Sequence, residues 1–152
     1  MIDELKKLPI ASAQTFTVAD SLGKIAVIES NPETLEVIYP KEGEDFVATA
    51  KNFNSEKLKC FRTPEDIDDW RSEERYFNAK TALELNRKDY SVAFAQKLLS
   101  GDYGFMCQYD RRKNADTVWS VVYDVKNCKI YRVEGNPSRK KFKEDNRMKF
   151  RN

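Results

Sequence analysis

The chain of 152 residues contains no histidine. That absence excludes a Ser-His-Asp triad, a Cys-His dyad, histidine-ligated zinc and acid–base catalysis by an imidazole. The sequence also lacks any apolar run near the roughly 20 residues of a membrane span. Its first seven residues, MIDELKK, are too charged for a signal peptide. We therefore predict a cytoplasmic protein without a membrane span, in which any catalysis uses other side chains.

Cysteine is sparse, and its spacing fits neither a disulfide framework nor a CxxC zinc site. The three thiols are predicted to be reduced: Cys60, Cys107 and Cys128. Three nearby aspartates lack the glycine and the spacing of a calcium loop, and are interpreted as a solvated helix face: Asp66, Asp68 and Asp69. We expect neither a metal nor a cofactor.

The net charge of +2 is unevenly distributed along the chain. Residues 138–152 form a basic C-terminal segment with seven basic and two acidic side chains, which gives this segment a net charge of +5. Such a segment can bind nucleic acid or an anionic surface, but it is more often a solvated chain end. Nucleic-acid binding is therefore an unlikely alternative.

The first half of the chain carries short runs of β-branched and aromatic residues between turn residues. Such runs predict antiparallel strands. The run at 25–28 is apolar at both parities, which predicts a sheet covered on both faces. The predicted four-strand meander covers residues 15–19, 24–29, 34–39 and 45–50.

The middle of the chain changes to a helical pattern. Thr63 and Pro64 form a helix start signal, and apolar residues then recur at helical spacing until Gly101, a stop signal. Two or three helices are therefore expected over 64–100, packed on one face of the sheet.

A second β region follows, because the runs at 117–125 and 129–134 predict a hairpin. Strands and helices are segregated along the chain, so the predicted class is α+β in a single domain over 1–152. Four aromatic residues are expected to pack in the core or between layers and not to stack on bases: Trp70, Tyr76, Phe77 and Trp119.

Three stretches carry a more specific pattern. They are residues 8–20 (LPIASAQTFTVAD); residues 47–53 (VATAKNF) with Arg75-Tyr76 downstream; and residues 119–124 (WSVVYD) followed by Gly135-Asn136-Pro137. In this order and spacing they resemble the later part of the acyl-CoA:6-aminopenicillanic acid acyltransferase-like family. Members of that family are linear amide C–N hydrolases related to choloylglycine hydrolases.

The resemblance implies an αββα N-terminal-nucleophile fold, of which this chain is the C-terminal part. It also implies a catalytic cysteine freed at the N-terminus by processing, whose proton the adjacent α-amine accepts without any histidine. The chain starts with Met1-Ile2, so we expect that nucleophile and its neighbouring Arg and Asp to be missing. Cys107, which follows Met106, is interpreted as a core or loop cysteine.

Two supporting positions of the family have candidates here. The family asparagine that holds the oxyanion lies near Asn52, although counting back from Phe53 places Lys51 at that position. A turn asparagine is the alternative for Asn52. The family's active-site arginine corresponds best to Arg75, for which the alternative is an exposed helix arginine paired with Glu73 or Glu74.

Three hypotheses follow for the function. The first is a hydrolase subunit that is inert alone and needs an N-terminal partner segment carrying the cysteine, bound through exposed sheet edges, to act on a small acyl amide. The second is a non-catalytic remnant that acts as a binding or self-associating module, for example a homo-oligomer. The third is nucleic-acid binding through 138–152.

Overall fold

A computed structural model describes residues 2–67 and 70–147, without the side chain of Glu65. By its contacts the chain divides into two compact units, Met1–Tyr76 and Phe77–Asn152. The elements segregate as an α+β fold with two three-stranded antiparallel sheets. Asp68 and Asp69 lie outside the described residues, as does the end of the basic segment beyond residue 147.

The sheet of the first unit follows a short helix, α1 (Ile2–Leu5). Its strand order is β1-β2-β3, and its strands are β1 (Gln14–Ala19), β2 (Ile25–Ser30) and β3 (Leu35–Ile38). Asp20 shapes the first turn, because its Oδ1 accepts hydrogen bonds from the backbone N–H groups of Leu22 and Lys24, each at 2.9 Å. Such Asx turns close hairpins without help from distant residues.

The central strand β2 is buried on both of its faces, as its unbroken apolar run predicts. Five consecutive residues of β2 are at most 3% exposed: Ala26, Val27, Ile28, Glu29 and Ser30. The last two are polar and still fully buried, so their polar atoms need partners inside the protein.

The predicted fourth strand at 45–50 is wrong, because these residues belong to neither sheet. Pro40 lacks the N–H that a strand ladder needs. A turn then redirects the chain, with the N–H of Glu44 donating to the carbonyl of Lys41 at 2.9 Å. Phe46 is buried nonetheless. The apolar residues at 45–50 thus indicate burial but not strand pairing.

The helical region contains two α-helices, α2 (Ser72–Leu85) and α3 (Val92–Ser100). The predicted start at Thr63 and Pro64 is wrong for α2, because a 3-10 turn at Glu65–Ile67 follows these residues and α2 begins at Ser72. Asp66 is exposed in that turn. The stop signal is confirmed, because Gly101 caps α3 in the left-handed conformation at φ 89°.

The sheet of the second unit has the order β4-β5-β6. Its strands are β4 (Trp119–Asp124), β5 (Lys129–Glu134) and β6 (Lys143–Glu144). The predicted hairpin is confirmed, with Trp119 opposite Glu134 and Asp124 opposite Lys129. Helix α3 contacts β4. The two-residue strand β6 was not predicted.

Several large aromatic side chains are more exposed than the sequence analysis predicts. Trp70, Phe77 and Trp119 are 43%, 58% and 51% exposed, so a place in the core is wrong for these three residues. Tyr76 is half-buried, and packing between layers stays a prediction. No helix in the described part of the chain has the length and apolar character that crossing a membrane requires. The cytoplasmic location stays a prediction.

Candidate functional site

A cleft of about 410 Å³ opens in the Met1–Tyr76 unit between the start of β1 and the loop after residue 49. This volume falls in the range of small-molecule sites. Its lining mixes small, polar and aromatic residues: Ala13, Gln14, Thr15, Ala50, Lys51, Asn52, Phe53, Phe61 and Thr63. The cleft thus contains one of the two residues predicted from the sequence, Asn52.

Asn52 is only 5% exposed and is held at two points. Its Nδ2 donates to Oε1 of Glu73 at 3.3 Å, and its backbone carbonyl accepts from Nδ2 of Asn54 at 3.3 Å. A side-chain amide has two N–H donors, so one donor remains available after the bond to Glu73. Asn52 is therefore a positioned hydrogen-bond donor at the cleft wall.

Charged residues fix the partners of Asn52. Nη2 of Arg62 donates to Oδ1 of Asn54 at 3.1 Å, and it also pairs with Oε1 of Glu73 at 2.5 Å. Arg62 thereby connects the two residues that hold Asn52. We call Glu29, Asn52, Asn54, Arg62 and Glu73 the Asn52 network.

Glu29 anchors the backbone of this network from β2. Its carboxylate is fully buried and accepts three hydrogen bonds: from the N–H of Asn54 at 2.7 and 2.9 Å, and from the N–H of Ser55 at 2.8 Å. A buried carboxylate is costly unless such donors satisfy it. Glu29 therefore fixes the path of the chain immediately after Asn52.

Lys51 and Asn52 point in different directions. Lys51 is exposed, and its ammonium lies 5.8 Å from the centroid of the Trp70 ring, which is a cation–π distance. Asn52 is turned inward. Which of the two occupies the position of the family asparagine stays a prediction, but only Asn52 contributes a neutral, buried amide donor.

Arg75 does not join the Asn52 network. Its Nε donates to the backbone carbonyl of Trp70 at 3.2 Å, and its Nη2 lies 3.5 Å from Oγ of Ser72. Neither acid suggested as its partner binds it: Glu73 pairs with Arg62, and Glu74 pairs with Arg71. In the described residues Arg75 thus supports the start of α2, and its catalytic role stays a prediction.

Two of the three cysteines, Cys60 and Cys128, are exposed, and Cys107 is buried. Sγ of Cys60 is placed to donate to the carbonyl of Lys57 at 3.5 Å, and Sγ of Cys128 to that of Val125 at 3.7 Å. Cys107 is 2% exposed, and burial raises the pKa of its thiol above the usual value. The buried environment of Cys107 therefore favours its protonated thiol.

Comparison with known proteins settles the family. The sequence profile of the acyl-coenzyme A:6-aminopenicillanic acid acyl-transferase family matches residues 1–139. The chain belongs to this family. A search of curated proteins finds no match. A search of solved structures finds none either.

A second buried polar cluster lies in the Phe77–Asn152 unit, within the residues that match the acyl-transferase family. Asn136 is 3% exposed and donates through Nδ2 to the carbonyl of Cys107 and to Oδ1 of Asp116, the latter at 2.8 Å. Its own Oδ1 accepts from Oγ of Ser138 at 2.7 Å. Hydrogen bonding by Asn136, with help from Arg139, lowers the pKa of Asp116. The Gly135-Asn136-Pro137 motif thus has a structural role, tying three loops together.

Reasoning from the sequence missed the residues that position Asn52 in this family member. One signal was available, since Glu29 ends a run of buried apolar residues where a charge is unusual. Arg62 and Glu73 carried no such signal. Their roles depend on contacts with residues 8 to 21 positions away, which no local sequence pattern indicates.

Proposed function

We propose that this chain is the C-terminal part of a linear amide C–N hydrolase or acyltransferase, whose cysteine nucleophile is supplied by an N-terminal segment of the family fold. The family match over residues 1–139 carries this proposal. The Asn52 cleft supports it, because the cleft has the volume of a small-ligand site and a buried amide donor in its wall.

The proposed reaction needs no histidine, in keeping with this sequence. The α-amine of the N-terminal cysteine accepts the thiol proton, and the thiolate attacks the carbonyl carbon of an acyl amide. The amine leaves with that proton as the C–N bond breaks, and the acyl group remains as a thioester on the cysteine. Attack by water on the thioester gives a carboxylic acid, whereas attack by a second amine gives a new amide. In both cases the C–S bond breaks, and the cysteine leaves as a thiol with a proton from the attacking molecule.

In this reaction Asn52 stabilises the oxyanion of the tetrahedral intermediate. One of its N–H donors is committed to Glu73 and fixes the orientation of the amide, which leaves the second N–H for the oxyanion. Arg62 and Glu29 are positioning residues, because they act on the loop that carries Asn52 and not on the substrate. Such preorganisation is what makes a hydrogen-bond donor effective in catalysis.

The N-terminal segment would bind at the edge strands of the two sheets. Strands β1 and β3 form the edges of the first sheet, and β4 and β6 form those of the second, in the described part of the chain. Edge strands present backbone donors and acceptors that a further strand can pair with. Added strands of this kind would enlarge each of the two sheets.

The experiment is co-expression with an N-terminal family segment that begins with cysteine after processing. We expect a stable complex that releases free amine from acyl-amide substrates, and no release when that cysteine is replaced by alanine. A complex without amidase activity, or a monodisperse homodimer that ignores the segment, would favour a non-catalytic module. Failure of the two chains both to associate and to cleave would refute the proposal.

A further inference from the structure

A second and larger cleft lies wholly within the Phe77–Asn152 unit. Its volume is about 720 Å³, and strands β5 and β6 contribute to its walls. Eight charged residues line it: Arg132, Glu134, Lys140, Lys141, Lys143, Glu144, Asp145 and Arg147. We call this set the cationic groove. Most of it follows residue 139, where the family match ends.

The three carboxylates of the groove already have cationic partners. Arg147 binds both oxygens of Asp145 at 3.0 Å, and its Nη2 reaches Glu134 at 3.2 Å. Glu144 pairs with Lys129 at 3.4 Å. Hydrogen bonding by Arg147 lowers the pKa of Asp145 to about 2, so this carboxylate stays ionised at neutral pH. The acids are therefore committed within the fold.

The remaining cations of the groove have no such partners. Within residues 2–67 and 70–147, no hydrogen bond or ion pair involves the side chain of Lys140, Lys141 or Lys143. Lys143 also lies directly opposite Arg132 in the β5–β6 ladder. Like charges at such a cross-strand pair destabilise a sheet, and a bound anion would relieve the repulsion.

Arg132 is held in place without using its hydrogen-bonding capacity. Its guanidinium lies 5.2 Å from the centroid of the Trp119 ring, and it acts on Asp145 only through space. Its Nε is shielded from solvent and has no hydrogen-bond partner within the part of the chain that the structure describes. A guanidinium held by an aromatic face is preorganised, and its two Nη groups form no hydrogen bond within the described residues, so they can bind an oxyanion.

The side chain of Lys140 reaches the groove by lying against the backbone of Gly135. Gly135 adopts φ +96°, and a Cβ placed on it would lie 3.1 Å from Nζ of Lys140. The side chain of Lys140 therefore runs close against this backbone. Three cations thus reach the groove from different segments: Arg132 from β5, Lys143 from β6, and Lys140 from the chain between them.

We propose that the cationic groove binds a small ligand carrying two or more linked phosphate groups. Within the described residues, four cations of the groove form no ion pair: Arg132, Lys140, Lys141 and Lys143. Their charge exceeds what one carboxylate would neutralise, and phosphate oxygens match both the arginine guanidinium and the lysine point charges. The volume fits a compact ligand. A nucleic acid would be expected to need an extended basic stripe, whereas these cations converge on one concave site. The inference does not depend on the amide chemistry.

The test is calorimetric titration of the full chain with inorganic pyrophosphate at low ionic strength. We expect saturable binding with one ligand per chain, weakened by added salt because screening reduces the attraction. Arg132→Gln and Lys143→Gln should each weaken binding about tenfold or more, since each removes a charged hydrogen-bond donor. Lys88→Gln, the same change at an exposed lysine outside the groove, should leave the affinity unchanged.

Three results would overturn the proposal. Citrate binding as tightly as pyrophosphate would show that charge alone is recognised. A ten-nucleotide single-stranded DNA binding more tightly than pyrophosphate, through the same residues, would favour a nucleic-acid surface. Absence of pyrophosphate binding to the folded chain would leave no phosphate site. Each variant is checked by thermal unfolding, and Lys141→Gln serves as a further groove variant if Arg132→Gln does not fold.

Discussion

The Asn52 network and the cationic groove differ in how they treat charge. In the network, Glu73 faces Arg62, and the buried Glu29 carboxylate faces backbone N–H groups of the loop after Asn52. In the groove, the acids are paired and several cations are left over. Paired charges fix the orientation of a hydrogen-bond donor such as the Asn52 amide. An excess of positive charge attracts a negatively charged ligand. The first region therefore has the character of a preorganised site, and the second that of an anion receptor.

The largest effect that we expect is on the rate of acyl-amide cleavage, to which the Asn52 network is proposed to contribute directly. In the complex with a nucleophile-bearing segment, Asn52→Ala should lower kcat roughly 100- to 1000-fold, because one oxyanion donor is lost. Steady-state kinetics on an acyl amide measures this. Asn127→Ala, in the exposed β4–β5 turn, is the control and should change kcat less than about twofold. Equal losses in both variants would refute a specific role for Asn52.

The next effect is on stability and tests whether Glu29 anchors the network. Glu29→Gln keeps the side-chain volume but replaces one acceptor oxygen with an NH2 group that faces N–H donors. We expect the free energy of unfolding to fall by about 2–3 kcal/mol, the cost of a buried donor left without a partner. Urea denaturation measures the loss. Glu33→Gln, at an exposed turn residue, should change it by about 0.5 kcal/mol at most.

The smallest effect is confined to acid and tests whether the groove carboxylates are committed. The folded-state pKa of Asp145 is about 2, below the ordinary value of 3.8, so this group stabilises the fold above pH 4. That stabilisation is lost as the pH falls from about 4 to 2. Asp145→Asn should flatten this part of the stability–pH curve, followed by thermal unfolding. Asp102→Asn, at an exposed carboxylate without a side-chain hydrogen bond in the described residues, should leave the slope unchanged.

Local patterns predicted the elements whose structure is decided locally. The hairpin of β4 and β5 and the end of α3 at Gly101 are of this kind, because a turn or a cap fixes each within a few residues. The residues at 45–50 carry the same apolar signal as a strand, yet pairing depends on a partner strand that their sequence does not encode. The two-residue strand β6 is too short for any periodicity.

The site was predictable to a smaller extent. Asn52 could be proposed from its resemblance to a family motif, and the structure places it in a cleft. Its support by Glu29 and Arg62 depends on the chain folding back over many residues. The charge of Glu29 at the end of an apolar run is unusual, but it does not indicate which loop Glu29 binds, and Arg62 carries no signal at all. The cationic groove shows the same limit. Residues 138–152 are basic in sequence, but the cross-strand pairing of Lys143 with Arg132 turns part of that charge into a concave site.

A crossed measurement on two variants tests most directly whether the two regions have separate tasks. Asn52→Ala and Lys143→Gln are each assayed for acyl-amide cleavage in the complex and for pyrophosphate binding by the chain alone. We predict that Asn52→Ala abolishes most of the cleavage and leaves pyrophosphate affinity unchanged, while Lys143→Gln weakens pyrophosphate binding about tenfold and leaves cleavage unchanged. The account would be contradicted if each variant lost both cleavage and pyrophosphate binding. It would also be contradicted if Asn52→Ala kept its cleavage activity and Lys143→Gln kept its pyrophosphate affinity.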